Sequence, residues 1–338
     1  MAGLKAVVVG AGSIAGAWFP SLVQEGVEVA GVVDLNIEIA QQRIEQYKLS
    51  CKPSTDLSAT LRKVRPDFVV DLTVPEAHCS VTCRSLRAGA HVIGEKPMAS
   101  SMAEARRMVR TSTQTGKLYM VSQSRRYNAT HDSVRRTVTG GKIGDLTTIN
   151  CDFYIGAHFG GFRDEMPSPL ILDMAIHHFD LARFMTGADP VAVYAKEFNP
   201  KGSWYSGDVA ASAIFEMSDG VMFTYRGSWC AEGCSTSWNG DWRFIGDKGT
   251  LLYDHDREPC GQFVVGKDGF SRALEAVPVE ASPLKHDGQH GALRELLAFI
   301  RTGEKPQCEC RDNIKSLAMV FAVIESSKKG RRIPVRAL

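Results

Sequence analysis

The sequence lacks the features that would point to a disulfide-bonded, membrane-spanning or nucleic-acid-binding protein. Its nine cysteines form no C-x-x-C pair, and an odd, scattered set favours reduced thiols over disulfides or a metal site. No apolar run approaches the roughly 20 residues that cross a bilayer. The 40 basic and 38 acidic side chains leave a net charge of +2, which is too small to favour nucleic acid as a partner.

Internal repeats, low-complexity segments and an export signal are also missing. Lys5 leads directly into an apolar, strand-like run, and no small-residue cleavage site precedes it. We therefore expect a cytoplasmic protein that holds no metal. The 338 residues, of which 44% are hydrophobic and 23% charged, are enough for two globular domains with large cores.

The first 120 residues alternate short apolar runs with amphipathic helical patterns. Such alternation is typical of βαβ units and predicts an α/β domain around a parallel sheet. The predicted strands are 4–9, 27–34, 67–73, 91–94 and 118–121. The predicted helices are 14–25, 37–47, 76–88 and 102–115.

The pattern changes after residue 125, where alternating segments predominate. Two of them flank Ser218-Asp219-Gly220, a hairpin turn signal, so this half predicts a mostly antiparallel sheet. The predicted strands are 146–155, 191–198, 209–217 and 221–229, and the predicted helices are 131–138, 293–301 and 311–328. We expect a first domain over 1–123 and a second α/β domain over 124–338, with helix 311–328 available to pack back on the first.

A glycine-rich turn follows the first predicted strand and opens a helix. It runs from Gly10 to Ala15 as G-x-G-x-x-A, a form of the dinucleotide-binding fingerprint. Gly10 permits the tight turn, and Gly12 lets the backbone approach a pyrophosphate. The helix start at Ser13 and Ile14 presents backbone N–H groups to phosphates.

Asp34 ends the second predicted strand, about twenty residues after the glycines. An acid at this place hydrogen-bonds the ribose hydroxyls of NAD and repels the 2′-phosphate of NADP, so the sequence favours NAD. The alternative is that Asp34 only caps the helix that follows it.

Glu95, Lys96 and Pro97 directly follow the predicted strand 91–94. The carboxyl end of a strand in a doubly wound sheet is where ligands bind. Lys96 there can donate a hydrogen bond to a substrate oxygen, and Glu95 can accept one from a ribose hydroxyl. A cis peptide bond before Pro97 is one possibility. The alternative is a solvated, charged loop.

Asp173, His177 and Asp180 form the second polar cluster, on a predicted helix. Spacings of four and three residues place all three on one helix face, whereas His178 points about 100° away. A histidine flanked by two acids is held oriented and basic, as a general base requires. The alternative is an ordinary polar helix face.

Taken together, these motifs resemble the glucose–fructose oxidoreductase / inositol dehydrogenase (Gfo/Idh/MocA) family over almost the whole chain. One departure is Ala175, where the family usually has a glycine. The matching segments are the glycine turn, Thr73-Val74-Pro75 with His78, 88–97, Arg126-Tyr127, Asp173 to Asp180, 246–251 and the tail 316–330.

The resemblance implies a Rossmann domain followed by an α/β domain with a large, mostly antiparallel open sheet, assembled as a homo-oligomer. It implies that Lys96 contacts substrate and helps to place the nicotinamide, and that Asp173 and His177 complete a catalytic triad. The cofactor contacts that it implies, beyond the glycine turn and Asp34, are Thr73, Pro75, His78, Glu95 and Lys96.

The leading hypothesis is therefore an NAD-dependent dehydrogenase of a sugar, polyol or cyclic polyhydroxy compound. His177 would take the hydroxyl proton, Lys96 would stabilise the oxygen, and Asp173 would hold Lys96 and substrate in register. One alternative is an NAD-dependent glycosidase that oxidises a sugar carbon transiently. Another is a non-catalytic dinucleotide-binding regulator, which would not need these three residues together.

Two pairs of residues are candidate substrate ligands. Arg126 and Tyr127 resemble a substrate-side pair of the family. His158 and Arg163 lie in a glycine-rich segment just before the Asp173 helix, and either could bind sugar hydroxyls or a carboxylate. The alternative for both is a surface loop.

Overall fold

The protein, analysed as a computed structural model that describes residues 3–338, consists of two compact units. Unit 1 comprises residues 3–127, 286–314 and Leu338. Unit 2 comprises residues 128–285 and 315–337. The chain thus leaves unit 1, builds most of unit 2 and returns, whereas the sequence predicts a single division after residue 123.

Unit 1 contains a six-stranded, all-parallel sheet in the order β3-β2-β1-β4-β5-β6. This is the doubly wound order, and it confirms the predicted Rossmann domain. The strands are β1 Lys5–Val9, β2 Glu28–Val33, β3 Pro53–Ser54, β4 Phe68–Asp71, β5 His91–Gly94 and β6 Tyr119–Val121. The helices are α1 Ala15–Gln24, α2 Ile37–Gln46, α3 Leu57–Val64, α4 Pro75–Arg87 and α5 Met102–Thr115.

The distal segment 286–314 completes the core of unit 1. Its helix α8 Gly288–Thr302 packs against α1, and its apolar side chains join one cluster with the strands of the sheet. Burial of such side chains is the main stabilising term in folding. The residues that meet there include Trp18 and Phe19 from α1, and Leu293, Leu296, Leu297 and Cys308 from the segment.

Unit 2 is built on a nine-stranded sheet in the order β14-β13-β12-β11-β7-β10-β9-β8-β15. Every pairing is antiparallel except that of β7 with β10, which confirms the predicted mostly antiparallel sheet. The strands are β7 Leu146–Tyr154, β8 Pro190–Phe198, β9 Ala210–Met217, β10 Met222–Ser228, β11 Asp241–Gly246, β12 Gly249–Tyr253, β13 Cys260–Val264, β14 Leu274–Ala276 and β15 Ile333–Pro334. The helices are α6 Ala129–Thr139, α7 Ile176–Thr186 and α9 Cys310–Lys329, whose first turn belongs to segment 286–314.

The two faces of this sheet differ. Alternate residues of β10 are buried, and Phe179 of α7 packs against Phe215 with ring centroids 5.0 Å apart. The opposite face carries exposed apolar side chains, among them Tyr194 and Ile214, which are directly paired across β8 and β9. One face is therefore the core of unit 2, and the other is accessible in a single chain.

A π-helical segment, Leu170–Ala175, immediately precedes α7. Its wider turns follow an i to i+5 hydrogen-bond pattern. The sequence predicts an ordinary helix here, so the π-helical segment is a finding of the structure. In residues 3–338, no helix is long and apolar enough to cross a membrane.

Candidate active site

The glycine turn lies in unit 1 between β1 and α1. Gly10 has φ +93°, and a Cβ there would lie 2.7 Å from the carbonyl carbon and oxygen of Leu72. Within residues 3–338, and apart from Gly12 and its immediate chain neighbours, no heavy atom comes within 4 Å of the place where a Cβ of Gly12 would stand. Gly10 is thus required for packing, and Gly12 leaves the open space that a close-lying phosphate needs. Ser13 and Ile14, at the start of α1, are exposed.

Asp34 is tied to this turn through its carboxylate. Its Oδ2 accepts a hydrogen bond from the N–H of Ala11 at 2.7 Å, and its Oδ1 accepts one from the N–H of Asn36 at 2.8 Å. Asn36, not Asp34, is the N-cap of α2, because its side chain accepts from the N–H groups of Glu38 and Ile39. The helix-cap alternative therefore belongs to Asn36.

Arg43 of α2 holds the same turn from the other side. Its Nε donates to the carbonyl of Ala11 at 3.0 Å, and its Nη2 donates to the carbonyl of Gly12 at 2.9 Å. Ala11 is therefore fixed at both its N–H and its C=O, by Asp34 and Arg43 respectively. Sequence reasoning missed Arg43, since no spacing rule links a residue in α2 to a turn about thirty residues earlier.

A cavity of about 480 Å³ opens beside the turn, entirely within unit 1. Its wall includes Gly10, Gly12, Asp34 and Thr73, four of the predicted cofactor contacts. These residues fit a dinucleotide: the glycines give room for the phosphates, and the Asp34 carboxylate can accept from ribose hydroxyls.

His78 and Pro75 lie at α4, next to the cavity residue Thr73. Pro75 is the first residue of α4, and His78 is fully buried. The His78 Nδ1 lies 3.2 Å from Oδ1 of Asp71, which also accepts from the hydroxyl of Thr73 at 2.6 Å. A second hydroxyl, that of Thr82, donates to Asp71 Oδ2 at 3.1 Å. This buried network positions Thr73 and the end of β4.

Glu95 and Lys96 follow β5 as predicted, and the Lys96–Pro97 peptide bond is cis. Glu95 is buried, and its carboxylate accepts from the indole N–H of Trp18 at 2.8 Å and from the backbone N–H of Lys96 at 3.2 Å. The solvated-loop alternative is therefore wrong for Glu95. The carboxylate fixes the loop, while the Lys96 side chain remains half-buried at the strand end.

In unit 2, Asp173 lies on the π-helical segment and His177 on the first turn of α7. Both side chains are half-buried, and Asp173 Oδ2 accepts from Arg163 Nε at 2.6 Å. Asp180, expected on the same face, is instead buried and accepts from the Ser316 hydroxyl at 2.7 Å. Beyond His177, almost every residue of α7 is buried. The polar helix face that the spacing predicts therefore does not extend to Asp180.

His178 is confirmed as not equivalent to His177. It is fully buried, with its Nδ1 3.4 Å from the Tyr225 hydroxyl and its Nε2 3.4 Å from the carbonyl of Trp238. His178 therefore belongs to the aromatic core of unit 2.

Arg126 and Tyr127, the predicted substrate-side pair, are buried inside unit 1. Arg126 Nη1 donates to the carbonyl of Gln307 at 2.9 Å, and its Nη2 lies 2.9 Å from Oδ2 of Asp312. The Tyr127 hydroxyl donates to Glu295 at 2.7 Å. Both buried side chains anchor segment 286–314, which favours a structural role for them.

His158 and Arg163 have different surroundings in unit 2. His158 is exposed, stacks on Trp204 with ring centroids 3.7 Å apart, and lies 3.0 Å from Glu232. Arg163 contacts Asp173, the residue for which the family resemblance implies a catalytic role. Of these two, only Arg163 contacts Asp173.

Two family models match the chain in succession. Residues 4–123 match the model of the oxidoreductase family with an NAD-binding Rossmann fold. Residues 131–252 match the GFO/IDH/MocA C-terminal domain. Together the matched residues make up well over half of the chain.

Individual relatives and structures agree with this match. A 1,5-anhydro-D-fructose reductase from Ensifer adhaerens is 28% identical over 96% of this chain and 96% of its own length. An inositol 2-dehydrogenase from Rhizobium meliloti is 25% identical over 80% of this chain and 81% of its own length. An oxidoreductase from Agrobacterium radiobacter, solved with NAD+, L-tartaric acid and magnesium, has a TM-score of 0.84 at 20% identity, covering 98% of each chain. That last likeness shows the shared fold.

Proposed function

Because the chain belongs to the oxidoreductase family with an NAD-binding Rossmann fold and a GFO/IDH/MocA C-terminal domain, we propose that it oxidises a hydroxyl-bearing carbon of a sugar, polyol or cyclic polyhydroxy compound, or catalyses the reverse reduction. The names of two relatives, a 1,5-anhydro-D-fructose reductase and an inositol 2-dehydrogenase, support this substrate class. The observation that carries the proposal is the Asp34 carboxylate, fixed against the glycine turn at the wall of the 480 Å³ cavity.

NAD is the preferred cofactor in this proposal. Gly10, Gly12 and the start of α1 would hold its phosphates, and Asp34 would accept from its ribose hydroxyls. Asp56 and Arg84 line the same cavity, so the preference for NAD rests on the Asp34 carboxylate, which opposes a 2′-phosphate. When bound, NAD supplies the hydride acceptor or donor, and the protein supplies binding and orientation.

His177 is the proposed general acid/base, and Asp173 orients the substrate beside it. An imidazole can accept or donate a proton at a substrate hydroxyl, and histidine is the side chain most often used for such general acid–base catalysis. Lys96, in unit 1, donates to the substrate oxygen as negative charge develops on it. Asp173 is already oriented by Arg163 at 2.6 Å, which supports its role in a preorganised site.

The test is the near-ultraviolet absorbance of NADH after incubation with NAD and inositols, aldoses, sugar acids or glycosides. We expect NADH with one compound class. If no compound of the panel yields NADH although calorimetry shows NAD binding, the proposed dehydrogenase activity is rejected. Glycoside cleavage without net NADH would identify the glycosidase alternative instead.

A variant series tests the assigned roles. His177→Ala should lower kcat at least about a hundredfold, the usual contribution of general acid–base catalysis, and leave the Kd for NAD nearly unchanged. His255→Asn, at an exposed histidine of the same unit, is the matched control. Wild-type turnover in His177→Ala would remove His177 from the mechanism.

A further inference from the structure

Arg163 of unit 2 presents an unused hydrogen-bonding edge next to Asp173. It ends the short 3-10 helix Gly161–Arg163 and is about one-third exposed. Its Nε donates to Asp173 Oδ2, whereas its Nη1 and Nη2 donate to no other residue among 3–338. A guanidinium has five N–H donors in a rigid fork, so four of them remain for a ligand.

Two aromatic rings hold the guanidinium in place. Its Cζ lies 5.0 Å from the ring centroid of Phe159 and 4.7 Å from that of Phe162. Both rings are themselves exposed, by 42% and 67%. A planar cation flanked by aromatic faces and tied at Nε has little rotational freedom left, so a ligand that binds its open edge costs little further ordering.

The geometry of this edge suits a planar oxyanion. Arginine forms paired, parallel hydrogen bonds with a carboxylate, and the fork fixes the orientation of the bound group. Asp173 already balances the charge of Arg163, so the pair is neutral overall. A singly charged carboxylate meets less repulsion from the neighbouring Asp173 carboxylate than a doubly charged phosphate does.

We propose that the Nη edge of Arg163 binds the carboxylate of the substrate, so that the substrates are sugar acids, such as uronic or aldonic acids. The inference rests on the proposed dehydrogenase function and narrows its substrate class. Arg163 then has two roles: its Nε orients Asp173, and its Nη atoms fix the substrate relative to Asp173.

The experiment compares matched substrates that differ in one group. D-glucuronate, D-glucose and D-glucose 6-phosphate form one set, and D-galacturonate with D-galactose forms another. NADH formation gives kcat and KM for each. We expect the acid to exceed its neutral partner in kcat/KM by about 10- to 100-fold, the range for a hydrogen bond to a charged group.

Variants of Arg163 separate substrate binding from the positioning of Asp173. Arg163→Gln should raise KM for the acid by about 10- to 100-fold and change kcat/KM for the neutral sugar much less. Arg163→Lys keeps the charge without the fork, so its KM for the acid should lie between those of the wild type and Arg163→Gln. Arg226→Gln is the matched control, since Arg226 is an exposed arginine of unit 2 that pairs with Asp152.

The outcomes are distinguishable. Wild-type preference for the neutral sugar or the phosphate would overturn the inference and leave the dehydrogenase standing. An equal loss of kcat/KM for acid and neutral sugar in Arg163→Gln would also overturn it, because Arg163 would then act only through Asp173. NADH from no member of either set, but from another compound of the wider panel, would also overturn the inference and leave the dehydrogenase standing. NADH from no compound of the whole panel would count against the proposed function itself.

Discussion

Asp34 and Asn36 are two residues apart, yet their side chains serve different parts of unit 1. The Asp34 carboxylate accepts a hydrogen bond from the glycine turn and lines the cavity, whereas the Asn36 side chain caps α2. Because aspartate is a good N-cap, the sequence alone left open whether Asp34 binds the cofactor or caps the helix. The structure assigns each role by the N–H groups that each side chain accepts from.

Asp34→Ser should relax the choice between NAD and NADP. Loss of the carboxylate removes the acceptor for the ribose hydroxyls and the repulsion of a 2′-phosphate, so the ratio of kcat/KM for NAD to that for NADP should fall at least about tenfold. Steady-state kinetics with both cofactors measure this ratio. Asn36→Ala is the control: it should cost about 1 kcal/mol of stability and keep the ratio. An unchanged ratio in Asp34→Ser would contradict the assignment.

Other site residues show where sequence reasoning stops at this scale. The glycine turn, Asp34, Lys96 and His177 could be predicted as candidates because each occupies a fixed place relative to a strand end or a helix turn. The Arg163–Asp173 pair, which includes two predicted residues, was not predicted as a contact. Residues ten apart, one in a short 3-10 helix and the other in a π-helical segment, follow no fixed spacing.

At the scale of elements, α2 does more than cover the sheet. Its Arg43 donates to two carbonyls of the glycine turn, those of Ala11 and Gly12, at 3.0 and 2.9 Å. The helix therefore fixes the backbone on which phosphates would rest. A fixed turn keeps the N–H groups at the start of α1 directed towards the phosphates. The helix and the turn therefore act as one binding element.

Arg43→Met should weaken NAD binding about tenfold, because the turn loses two charge-assisted hydrogen bonds while the helix keeps an unbranched side chain. At saturating NAD, kcat should stay close to wild type. Calorimetric titration gives the Kd, and Arg110→Met, at an exposed arginine of α5, is the control. Equal affinities in the two variants would show that Arg43 does not position the turn.

Glu197, near the end of β8, gives the second element-scale prediction. It is 3% exposed, and burial raises its pKa to about 7, against a smaller opposing effect of Ser168. The folded state therefore binds more protons than the unfolded state between about pH 4.5 and 7, and stability falls as pH rises through this range.

Glu197→Gln removes that buried charge. The variant should melt several degrees above wild type at pH 8 and close to wild type at pH 4.5, as measured by thermal unfolding at both pH values. Glu275→Gln, on the fully exposed strand β14, should change neither value. Parallel pH dependences of wild type and Glu197→Gln would contradict the assignment.

Elements with clear end signals were predicted best. Strand β5 and helix α5 have their predicted bounds, and α5 begins after the N-cap Ser101 and ends at Gly116 with φ +66°. The two-residue β3 is too short to give a pattern. The π-helical segment has the same apolar spacing as an α-helix, and only packing distinguishes the two.

At the scale of the whole molecule, the main feature is the exposed apolar face of the unit 2 sheet. Tyr194 and Ile214 face outward side by side, exposed by 52% and 47%, among other apolar residues of the same face. Contiguous exposed apolar surface marks an interaction site. We propose that this face pairs with a second copy of the chain, in line with the family resemblance.

Ile214→Glu places a charge on that face and should shift the protein towards monomer, since burying an unpaired charge is costly. Sedimentation velocity measures the change. Phe270→Glu, at an exposed apolar residue outside the sheet, should leave the assembly intact. A wild-type protein that is already monomeric at micromolar concentration would rule out the proposed pairing.

The return of the chain to unit 1 also has a consequence during synthesis. Leu293, Leu296 and Cys308 belong to the core that Trp18 and Phe19 begin. A ribosome that has made the first 127 residues has therefore made a sheet whose apolar side is still partly uncovered. Unit 2 in turn takes in residues 315–337. Neither unit is complete until residues after 285 have also been made, so the core of unit 1 closes only after most of unit 2 has been synthesised.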